Sequence, residues 1–328
     1  MNKYEERYNS LKARVDEKVN TFITKSLPET FYSPLKYALS GGGKRIRPMI
    51  LLFSCEAAGG DFTSALDAAV AVELLHNFTL IHDDIMDNAD KRRNIDTIHK
   101  KWDNNIAILA GDGLNALAYR SLLKTNSPRI EEITKVFTEG IIEVCEGQSY
   151  DKEFESRKNV SIEDYMLMIN KKTAQLLVAS AVIGVLIGGG DKEMIKTIEK
   201  YSENLGLAFQ IQDDLFDIMA DERTFGKKIG GDIREGKKTY LLIKALETIN
   251  DPSDRAVLES IIQNQGLNKD EEILKVKHIY EKTGIVKSAL SEIERYTLKA
   301  DEYLNTLPDS EEKRQLQWFS GMLLNRSY

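Results

Sequence analysis

Apolar residues along this chain recur at spacings of three and four, as at Leu241, Leu242, Ala245 and Leu246. This is the period of an amphipathic helix, and the sustained alternation that indicates a β-strand is absent. The stretch 129–251 contains no proline, which also suits long helices. The sequence therefore predicts an all-α protein with no strand of consequence.

Helices are predicted at 4–25, 31–40, 47–58, 62–88, 103–124, 130–149, 161–187, 191–219, 238–249, 253–264, 270–305 and 309–325. No linker or low-complexity segment marks a boundary between domains. Residues 1–328 are therefore predicted to form a single domain, one large helical bundle.

Two clusters of acidic residues interrupt these apolar helices. The first comprises Asp83, Asp84 and Asp87, and the same D-D-x-x-D pattern returns at 213–217. On a helix, Asp83 and Asp87 project from one face. Carboxylates this close raise each other's pKa unless a cation sits among them, and Mg²⁺ suits carboxylates combined with a substrate phosphate. A solvated acidic helix face is the alternative, which the second copy weakens.

Two polar loops carry fixed positive charge. The loop at 40–48 is rich in glycine and contains Lys44, Arg45 and Arg47. It is not a P-loop, since no strand precedes it and Arg45 stands where Ser or Thr should follow the lysine. It could bind an anion, or it could be a flexible turn. The loop at 221–239 could be a lid over a charged ligand, or an ordinary mobile connection.

Composition narrows the class of protein. A net charge of −7 argues against a nucleic-acid partner. The two cysteines, Cys55 and Cys145, suggest neither a disulfide framework nor a zinc site. No secretory segment follows the N-terminus, and the longest apolar run, 174–187, is too short to cross a bilayer. We therefore expect a soluble, cytoplasmic protein that is not transmembrane.

Basic groups are interspersed with the acid clusters along the chain. They occur at 44–47, 91–93, 171–172, 227–228 and 237–238. Acidic clusters facing each other across a bundle, with basic groups among them, would suit a polyanion bridged by several Mg²⁺ ions. A diphosphate leaving group fits, because metals and cations stabilise the charge that develops as a carbon–oxygen bond breaks.

These motifs together resemble the all-trans polyprenyl diphosphate synthases, over nearly the whole chain. The resemblance is carried by 42–48, by 83–87 with Arg92-Arg93, and by 209–217, with Gly147-Gln148 and Lys172-Thr173 between them. It implies the all-α isoprenoid synthase fold with a central active-site cavity, and a homodimer. It also implies head-to-tail condensation of isopentenyl diphosphate with an allylic diphosphate, by ionisation, condensation and elimination.

The resemblance further implies a role for each matching residue. Two of three Mg²⁺ ions would be bound by Asp83, Asp84 and Asp87, and the third by Asp213 and Asp217. Isopentenyl diphosphate would be bound by Lys44, Arg47, His76 and Arg93. The allylic diphosphate would be held by Arg92, Lys172, Lys227 and Lys237. Thr173 and Gln210 would line the reacting carbons and the carbocation.

The resemblance also implies that product length depends on Phe78 and Thr79, which lie five and four residues before the first acid cluster. One bulky aromatic, with no insertion between Asp84 and Asp87, is similar to archaeal-type geranylgeranyl synthases, so a C20 product is favoured over C15. The chain departs from the family pattern at Asn94, where glycine is common, and at 240–241, where Leu-Pro is frequent.

Three other functions compete with this interpretation. A terpene cyclase would show only one D-D-x-x-D motif, and a non-catalytic subunit of a hetero-oligomeric synthase would show eroded acid clusters. A generic Mg²⁺-dependent phosphohydrolase would need no hydrocarbon pocket.

Overall fold

The computed structural model describes residues 2–219 and 229–324. These residues are almost entirely helical, which confirms the all-α prediction. The helices are α1 (Lys3–Phe22), α2 (Glu29–Ser40), α3 (Ile46–Ala57), α4 (Phe62–Met86), α5 (Ile98–Lys101), α6 (Asn104–Leu122), α7 (Ile130–Ser156), α8 (Ile162–Ile169), α9 (Gln175–Gly188), α10 (Lys192–Met219), α11 (Gly231–Arg234), α12 (Tyr240–Thr248), α13 (Pro252–Gln263), α14 (Asp270–Lys282), α15 (Ile285–Asn305) and α16 (Glu311–Leu324). A π-helical turn, Asn170–Ala174, joins α8 to α9.

The chain divides into two compact units, each built from three separate stretches of sequence. Unit 1 comprises Met1–Thr138, Ala179–Ile195 and Ser310–Leu316. Unit 2 comprises Glu139–Val178, Lys196–Asp309 and Gln317–Tyr328. The prediction of one domain over 1–328 stays a prediction, and each unit is described by itself.

Unit 1 is organised around α4, which packs against α1, α3 and α6. This helix is apolar nearly all round, and the run 68–72 is fully buried, as expected of a central core helix. The approach of α6 is close: a Cβ added to Gly111 would collide with the His82 ring, and one added to Gly113 would lie 2.6 Å from the Phe31 ring. Glycines on α6 therefore allow this helix to approach α4, which carries the first acid cluster, and α2.

Unit 2 has a continuous apolar core. It is formed by residues of α8, α10, α12, α13, α14 and α15, among them the buried rings of Tyr165 and Tyr280. The second half of α10 contributes Leu207, Ile211 and Leu215 to this core at helical spacing. This burial fixes the face of α10 from which the second acid cluster projects.

Two local predictions need correction. The predicted helix 270–305 is two helices, because Gly284 adopts φ +79° and ends the first one. The helix predicted to end at 149 continues to Ser156. Two short antiparallel strands, Lys91–Arg92 and Ile95–Asp96, form a hairpin, and at two residues each they agree with the prediction of no strand of consequence.

Two helical segments pass a length and composition test for crossing a membrane, Phe62–Met86 and Ile162–Gly188. The second includes the run 174–187, so the true helix is longer than the apolar run suggested. In each segment, 61% of the apolar window is buried inside the structure, as in core helices of soluble proteins. Cys55 and Cys145 are both free thiols.

Candidate active site

The first acid cluster lies in the last turn of α4, in unit 1. Asp84 is buried, and its carboxylate accepts a 2.7 Å hydrogen bond from Arg92 Nε, while Arg92 Nη2 lies 3.8 Å from Asp83 Oδ2. Asp83 and Asp87 are partly exposed. Burial raises the pKa of Asp84, and the guanidinium of Arg92 opposes that rise. The cluster therefore presents two outer carboxylates beside a buried one that a cation would stabilise.

The hairpin after α4 positions the arginine pair. Its two central residues, Arg93 and Asn94, have φ of +51° and +65°, the left-handed conformation that type I′ turns require. Asn tolerates this conformation better than most residues, which explains how Asn94 replaces the family's glycine. Arg92 points to Asp84, whereas Arg93 donates to the backbone carbonyl of Gly42. Adjacent arginines thus serve two different parts of unit 1.

The loop at 40–48 divides its charges between surface and interior. Lys44 is exposed and Arg47 is partly exposed, whereas the Arg45 side chain is only 2% exposed and is paired with acidic residues. The expectation that Arg45 adds charge for binding an anion is therefore wrong. Arg47 Nη1 lies 3.2 Å from His76 Nε2, so the loop and α4 share one polar surface.

His76 has a defined protonation state in this arrangement. Burial lowers its pKa well below the usual value, and the nearby charge of Arg47 lowers it further. A guanidinium only donates hydrogen bonds, so Nε2 is the acceptor and the ring proton is assigned to Nδ1. In the part of the chain that the structure describes, this Nδ1 has no partner. His76 therefore offers a hydrogen-bond donor beside Arg47.

The second acid cluster lies near the end of α10, in unit 2. Asp214 is buried and accepts hydrogen bonds from Tyr165 Oη at 2.6 Å, Gln210 Nε2 at 3.0 Å and the backbone N–H of Tyr240 at 3.2 Å. Burial raises the pKa of Asp214 to about 6, although these hydrogen bonds favour the carboxylate. Asp213 and Asp217 remain partly exposed.

Asp217 anchors the first residues of the described range that begins at 229. It accepts hydrogen bonds from the backbone N–H groups of Gly231 and Asp232, at 3.2 and 3.0 Å. Burial raises the pKa of Asp232 well above its usual range, and the charges of Asp217 and Asp214 raise it further. This concentration of carboxylates is another place where a cation would be stabilising.

Lys172 and Thr173 lie on the π-helical turn. Such turns are rare and widen the helix locally, which re-aims side chains. Lys172 Nζ pairs with Asp151 at 2.6 Å, and Thr173 Oγ1 donates to Gln210 Oε1 at 2.8 Å. A Cβ on Gly147 would lie 2.6 Å from Lys172 Cα, so α7 can pass the turn only because position 147 is glycine.

A cavity of about 110 Å³ in unit 2 is lined by several predicted site residues. Lys172, Thr173, Gln210 and Lys237 all border it. Lys237 also pairs with Glu235 at 2.7 Å. Lys227, predicted to hold the allylic diphosphate, lies outside the described residues.

Comparison with known proteins identifies the family. The sequence model described as Polyprenyl synthetase matches residues 28–282. The chain belongs to the polyprenyl synthetase family. It is 38% identical over 314 residues to a short chain isoprenyl diphosphate synthase of Methanothermobacter thermautotrophicus, with 95% of each chain covered. It is 36% identical over 325 residues to a geranylgeranyl diphosphate synthase of Saccharolobus solfataricus, with 97% of each covered.

A solved structure agrees with the sequence matches. The geranylgeranyl pyrophosphate synthetase from Pyrococcus horikoshii Ot3 has a TM-score of 0.92 at 36% identity, and the match covers 99% of this chain and 100% of that one. The predicted family and isoprenoid synthase fold are confirmed. As a polyprenyl synthetase, the protein is a prenyltransferase.

The predicted chain-length residues of this polyprenyl synthetase lie on α4, one turn before the acid cluster. The Phe78 ring meets the His82 ring edge to face, with centroids 4.7 Å apart. Thr79 Oγ1 donates to the His76 carbonyl at 2.9 Å, so its hydroxyl is occupied within its own helix. Of the two residues, Phe78 has the larger side chain, and its ring is held in place by the ring of His82.

A larger cavity, of about 780 Å³, lies elsewhere in unit 2, and none of the predicted site residues lines it. Two of its lining arginines are already paired, Arg157 with Asp164 at 3.1 Å and Arg255 with Glu259 at 2.9 Å. Of these two cavities, the smaller one is therefore the one that the predicted site residues line.

Sequence reasoning missed several residues that support this site. Asp151 pairs with Lys172, and Tyr165 donates a hydrogen bond to Asp214. Neither Asp151 nor Tyr165 belongs to a recognisable sequence motif. Glu73 is buried beneath the loop at 40–48. A charged residue inside the otherwise apolar run of α4 was the available signal for Glu73.

Proposed function

We propose that this polyprenyl synthetase condenses isopentenyl diphosphate with an allylic diphosphate, head to tail, in a Mg²⁺-dependent reaction. The observation that carries the proposal is a repeated arrangement. Each D-D-x-x-D cluster buries its middle carboxylate and leaves its outer two partly exposed. Outer carboxylates of this kind suit hydrated Mg²⁺, which takes one or two protein carboxylates and completes its shell with water and phosphate oxygens.

The metal ligands in this proposal are Asp83, Asp84 and Asp87 for two ions, and Asp213 with Asp217 for a third. Among the described residues, no group of three or more His, Cys, Asp or Glu side chains is arranged as a complete metal site. The donors that are present are carboxylate oxygens, which fit a hard cation. Bound Mg²⁺ would neutralise charge on the departing diphosphate.

Isopentenyl diphosphate is assigned to the polar surface of Lys44, Arg47, His76 and Arg93. The cations would bind the phosphate oxygens, and His76 Nδ1–H would add a neutral donor. Arg93 lies against the loop through its bond to Gly42, which keeps it next to Lys44.

The allylic diphosphate is assigned to Arg92, Lys172, Lys227 and Lys237. Lys172 and Lys237 border the cavity of about 110 Å³. The hydroxyl of Thr173 donates a hydrogen bond to Gln210 Oε1, so the lone pairs of the hydroxyl oxygen can face the allylic cation. The departing diphosphate then removes the final proton, so no side chain is needed as general base.

The product is proposed to be C20. Phe78 is the bulky residue five positions before Asp83, and the relative from Saccharolobus solfataricus is named for geranylgeranyl diphosphate.

One experiment tests the reaction. The purified protein is incubated with Mg²⁺, isopentenyl diphosphate and each of the C5, C10 and C15 allylic diphosphates, and the dephosphorylated products are separated by chromatography. We expect elongation to C20, and no turnover when EDTA replaces Mg²⁺. Cyclic products without consumption of isopentenyl diphosphate would indicate a terpene cyclase, and phosphate release from isopentenyl diphosphate alone would indicate a phosphohydrolase. No reaction would indicate a non-catalytic subunit.

A matched pair of variants tests the metal assignment in the same assay. Asp83→Ala should reduce turnover by at least about 100-fold, because it removes a ligand that stabilises the leaving group. Asp90→Ala removes an exposed acid just beyond the cluster, one that pairs with Lys100, and should leave turnover unchanged. Full activity in Asp83→Ala with an intact fold would contradict the assignment.

The remaining proposals concern the molecular environment. A cytoplasmic, non-membrane homodimer without a nucleic-acid partner is proposed, supported by the net charge of −7 and by the burial of the two apolar helices. Helix α6 supports the dimer, because Ile108 and Leu109 are 45% and 53% exposed on it. Recovery of the protein in the membrane pellet of fractionated cells would contradict the proposed location.

A further inference from the structure

The loop assigned to isopentenyl diphosphate rests on a buried ionic network. Arg45 Nε donates to Asp16 Oδ1 at 2.7 Å, and Arg45 Nη1 donates to Glu73 Oε1 at 2.5 Å. The side chains of Arg45 and Glu73 are 2% and 3% exposed. Lys12 pairs with the second oxygen of Asp16 at 2.7 Å, so two cations and two anions balance. Because each of these charges is paired and hydrogen-bonded, the network fixes the position of Arg45 and therefore of the 40–48 loop.

Helix α1 supplies half of this support. Besides Asp16, it provides Tyr8, whose hydroxyl donates to the backbone carbonyl of Lys44 at 2.6 Å. Both residues that precede α3 are therefore anchored to α1, Lys44 through its carbonyl and Arg45 through its side chain. Helix α1 lies before residue 28, where the match to the family model begins.

Helix α4 supplies the other half. Glu73 is held by Asn77, whose amide donates to Glu73 Oε1 at 3.1 Å and to the Glu73 carbonyl at 2.8 Å. His76 follows Glu73 by three residues and so lies on the same face of α4. On that face, Glu73 binds Arg45 and His76 lies next to Arg47. The buried Arg45–Glu73 pair is therefore adjacent to the predicted substrate contacts.

The backbone of the loop needs this anchoring. Arg45 has φ +52°, a left-handed conformation that is unfavourable for residues with a side chain. It immediately precedes α3, so its conformation sets the direction in which the chain enters the helix that carries Arg47. Without the pairs to Asp16 and Glu73, Arg45 would be free to adopt ordinary angles and the loop would have to be ordered on binding.

We propose that Tyr8, Asp16, Arg45 and Glu73 are positioning residues that preorganise the 40–48 loop for isopentenyl diphosphate. The inference rests on the proposed function. It makes α1 part of the binding apparatus for one of the two substrates, although none of the residues assigned to the diphosphate lies on α1. Loss of preorganisation raises the KM of the substrate that the loop binds, and it leaves the KM of the allylic substrate unchanged.

The test uses Tyr8→Phe and Asp16→Asn in the full chain, with Lys18→Ala as the control. Lys18 also joins α1 to α4, through Asp67 at 3.0 Å, but it makes no contact with the loop network. Initial rates are measured with isopentenyl diphosphate varied at saturating C15 allylic diphosphate, and then with the two roles exchanged. The Kd of isopentenyl diphosphate is measured separately by calorimetry.

Tyr8→Phe should raise the KM and Kd of isopentenyl diphosphate by about fivefold, the effect of one hydrogen bond. Asp16→Asn, which removes the carboxylate charge that faces the buried guanidinium of Arg45, should raise both the KM and the Kd by about tenfold or more. The allylic KM and the kcat should stay within about twofold of wild type, and Lys18→Ala should resemble wild type throughout.

A lower melting temperature with an unchanged KM for isopentenyl diphosphate would overturn the inference, since that pattern indicates a purely stabilising role. Equal rises in both KM values would overturn it as well. Failure of the wild type to bind or consume isopentenyl diphosphate would instead overturn the proposed function, and that result is obtained before any variant is compared.

Discussion

Phe78 stands one turn before the first acid cluster, with its ring held against His82. A ring at this point on α4 would block a growing hydrocarbon chain that extends away from the diphosphate. Phe78→Ala removes that ring, and we expect products longer than C20, read by chromatography after dephosphorylation.

Thr79→Ala is the matched comparison for Phe78→Ala. It removes a much smaller side chain whose hydroxyl is already bonded within the helix, and it should shift the product distribution far less. An unchanged chain length in Phe78→Ala would show that another residue limits elongation.

Arginine side chains show where residue-level prediction stops. The positions of Arg45, Arg47, Arg92 and Arg93 in their motifs are plain in the sequence, but their directions depend on partners distant along the chain. Arg45 turns inward because Asp16 and Glu73 lie 29 and 28 residues away in sequence yet adjacent in space. The local sequence pattern gives no sign of such pairs. The expectation that Arg45 contributes charge to an anion-binding loop was therefore wrong.

At the scale of elements, the π-helical turn explains why two separate sequence motifs occur together. The Gly147-Gln148 and Lys172-Thr173 motifs are distant in sequence, and the structure shows that Gly147 packs directly on the backbone of Lys172. Gly206 faces Ala174 of the same turn, with a Cβ there falling 2.7 Å from Ala174 Cα. Glycines on two neighbouring helices therefore make room for the turn.

Gly147→Ala should consequently displace the turn and its two site residues. Overpacking of this kind costs about 1–3 kcal/mol of folding free energy. The free energy lost from transition-state stabilisation should exceed the loss of folding free energy, because Lys172 and Thr173 are displaced together. Steady-state kinetics and thermal unfolding of the same preparation measure the two effects.

Cys145→Ala serves as the control for Gly147→Ala, since it changes an exposed residue two positions away on α7. It should match wild type in both measurements. Wild-type kinetics in Gly147→Ala would show that the turn does not need its close contact with α7.

Helix boundaries were predictable where caps or apolar periodicity mark them, as at the Ser161–Asp164 capping box that opens α8. The break at Gly284 and the hairpin at 91–96 were not. A single glycine inside a periodic run is compatible with a continuous helix, and two-residue strands have no periodicity to detect. The π turn was also invisible, because its sequence fits an ordinary helix.

At the scale of the whole molecule, the exposed leucine on α6 allows a test of the proposed homodimer. Leu109→Lys places a charge where a second copy would bury an apolar side chain on both sides of a two-fold axis. We expect the dissociation constant to rise by at least about 100-fold. Light scattering after gel filtration, over a range of protein concentrations, measures it.

Leu274→Lys is the control for Leu109→Lys, because Leu274 on α14 is similarly exposed, at 57% against 53%. It should leave the assembly unchanged. A wild-type protein that is monomeric at all concentrations would contradict the homodimer.

The interleaving of the two units has a consequence for how the chain is made in the cell. A ribosome delivers residues in order, yet unit 1 includes Ala179–Ile195, which emerge only after Glu139–Val178 of unit 2. The packing surface of α3 is therefore completed late, because Gly184 and Gly188 of α9 lie against the backbones of Leu51 and Cys55. Until then the nascent chain must keep the apolar residues of α3 from aggregating. Removing the residues from Ser310 onwards would leave both units incomplete, because Ser310–Leu316 belong to unit 1 and Gln317–Tyr328 to unit 2.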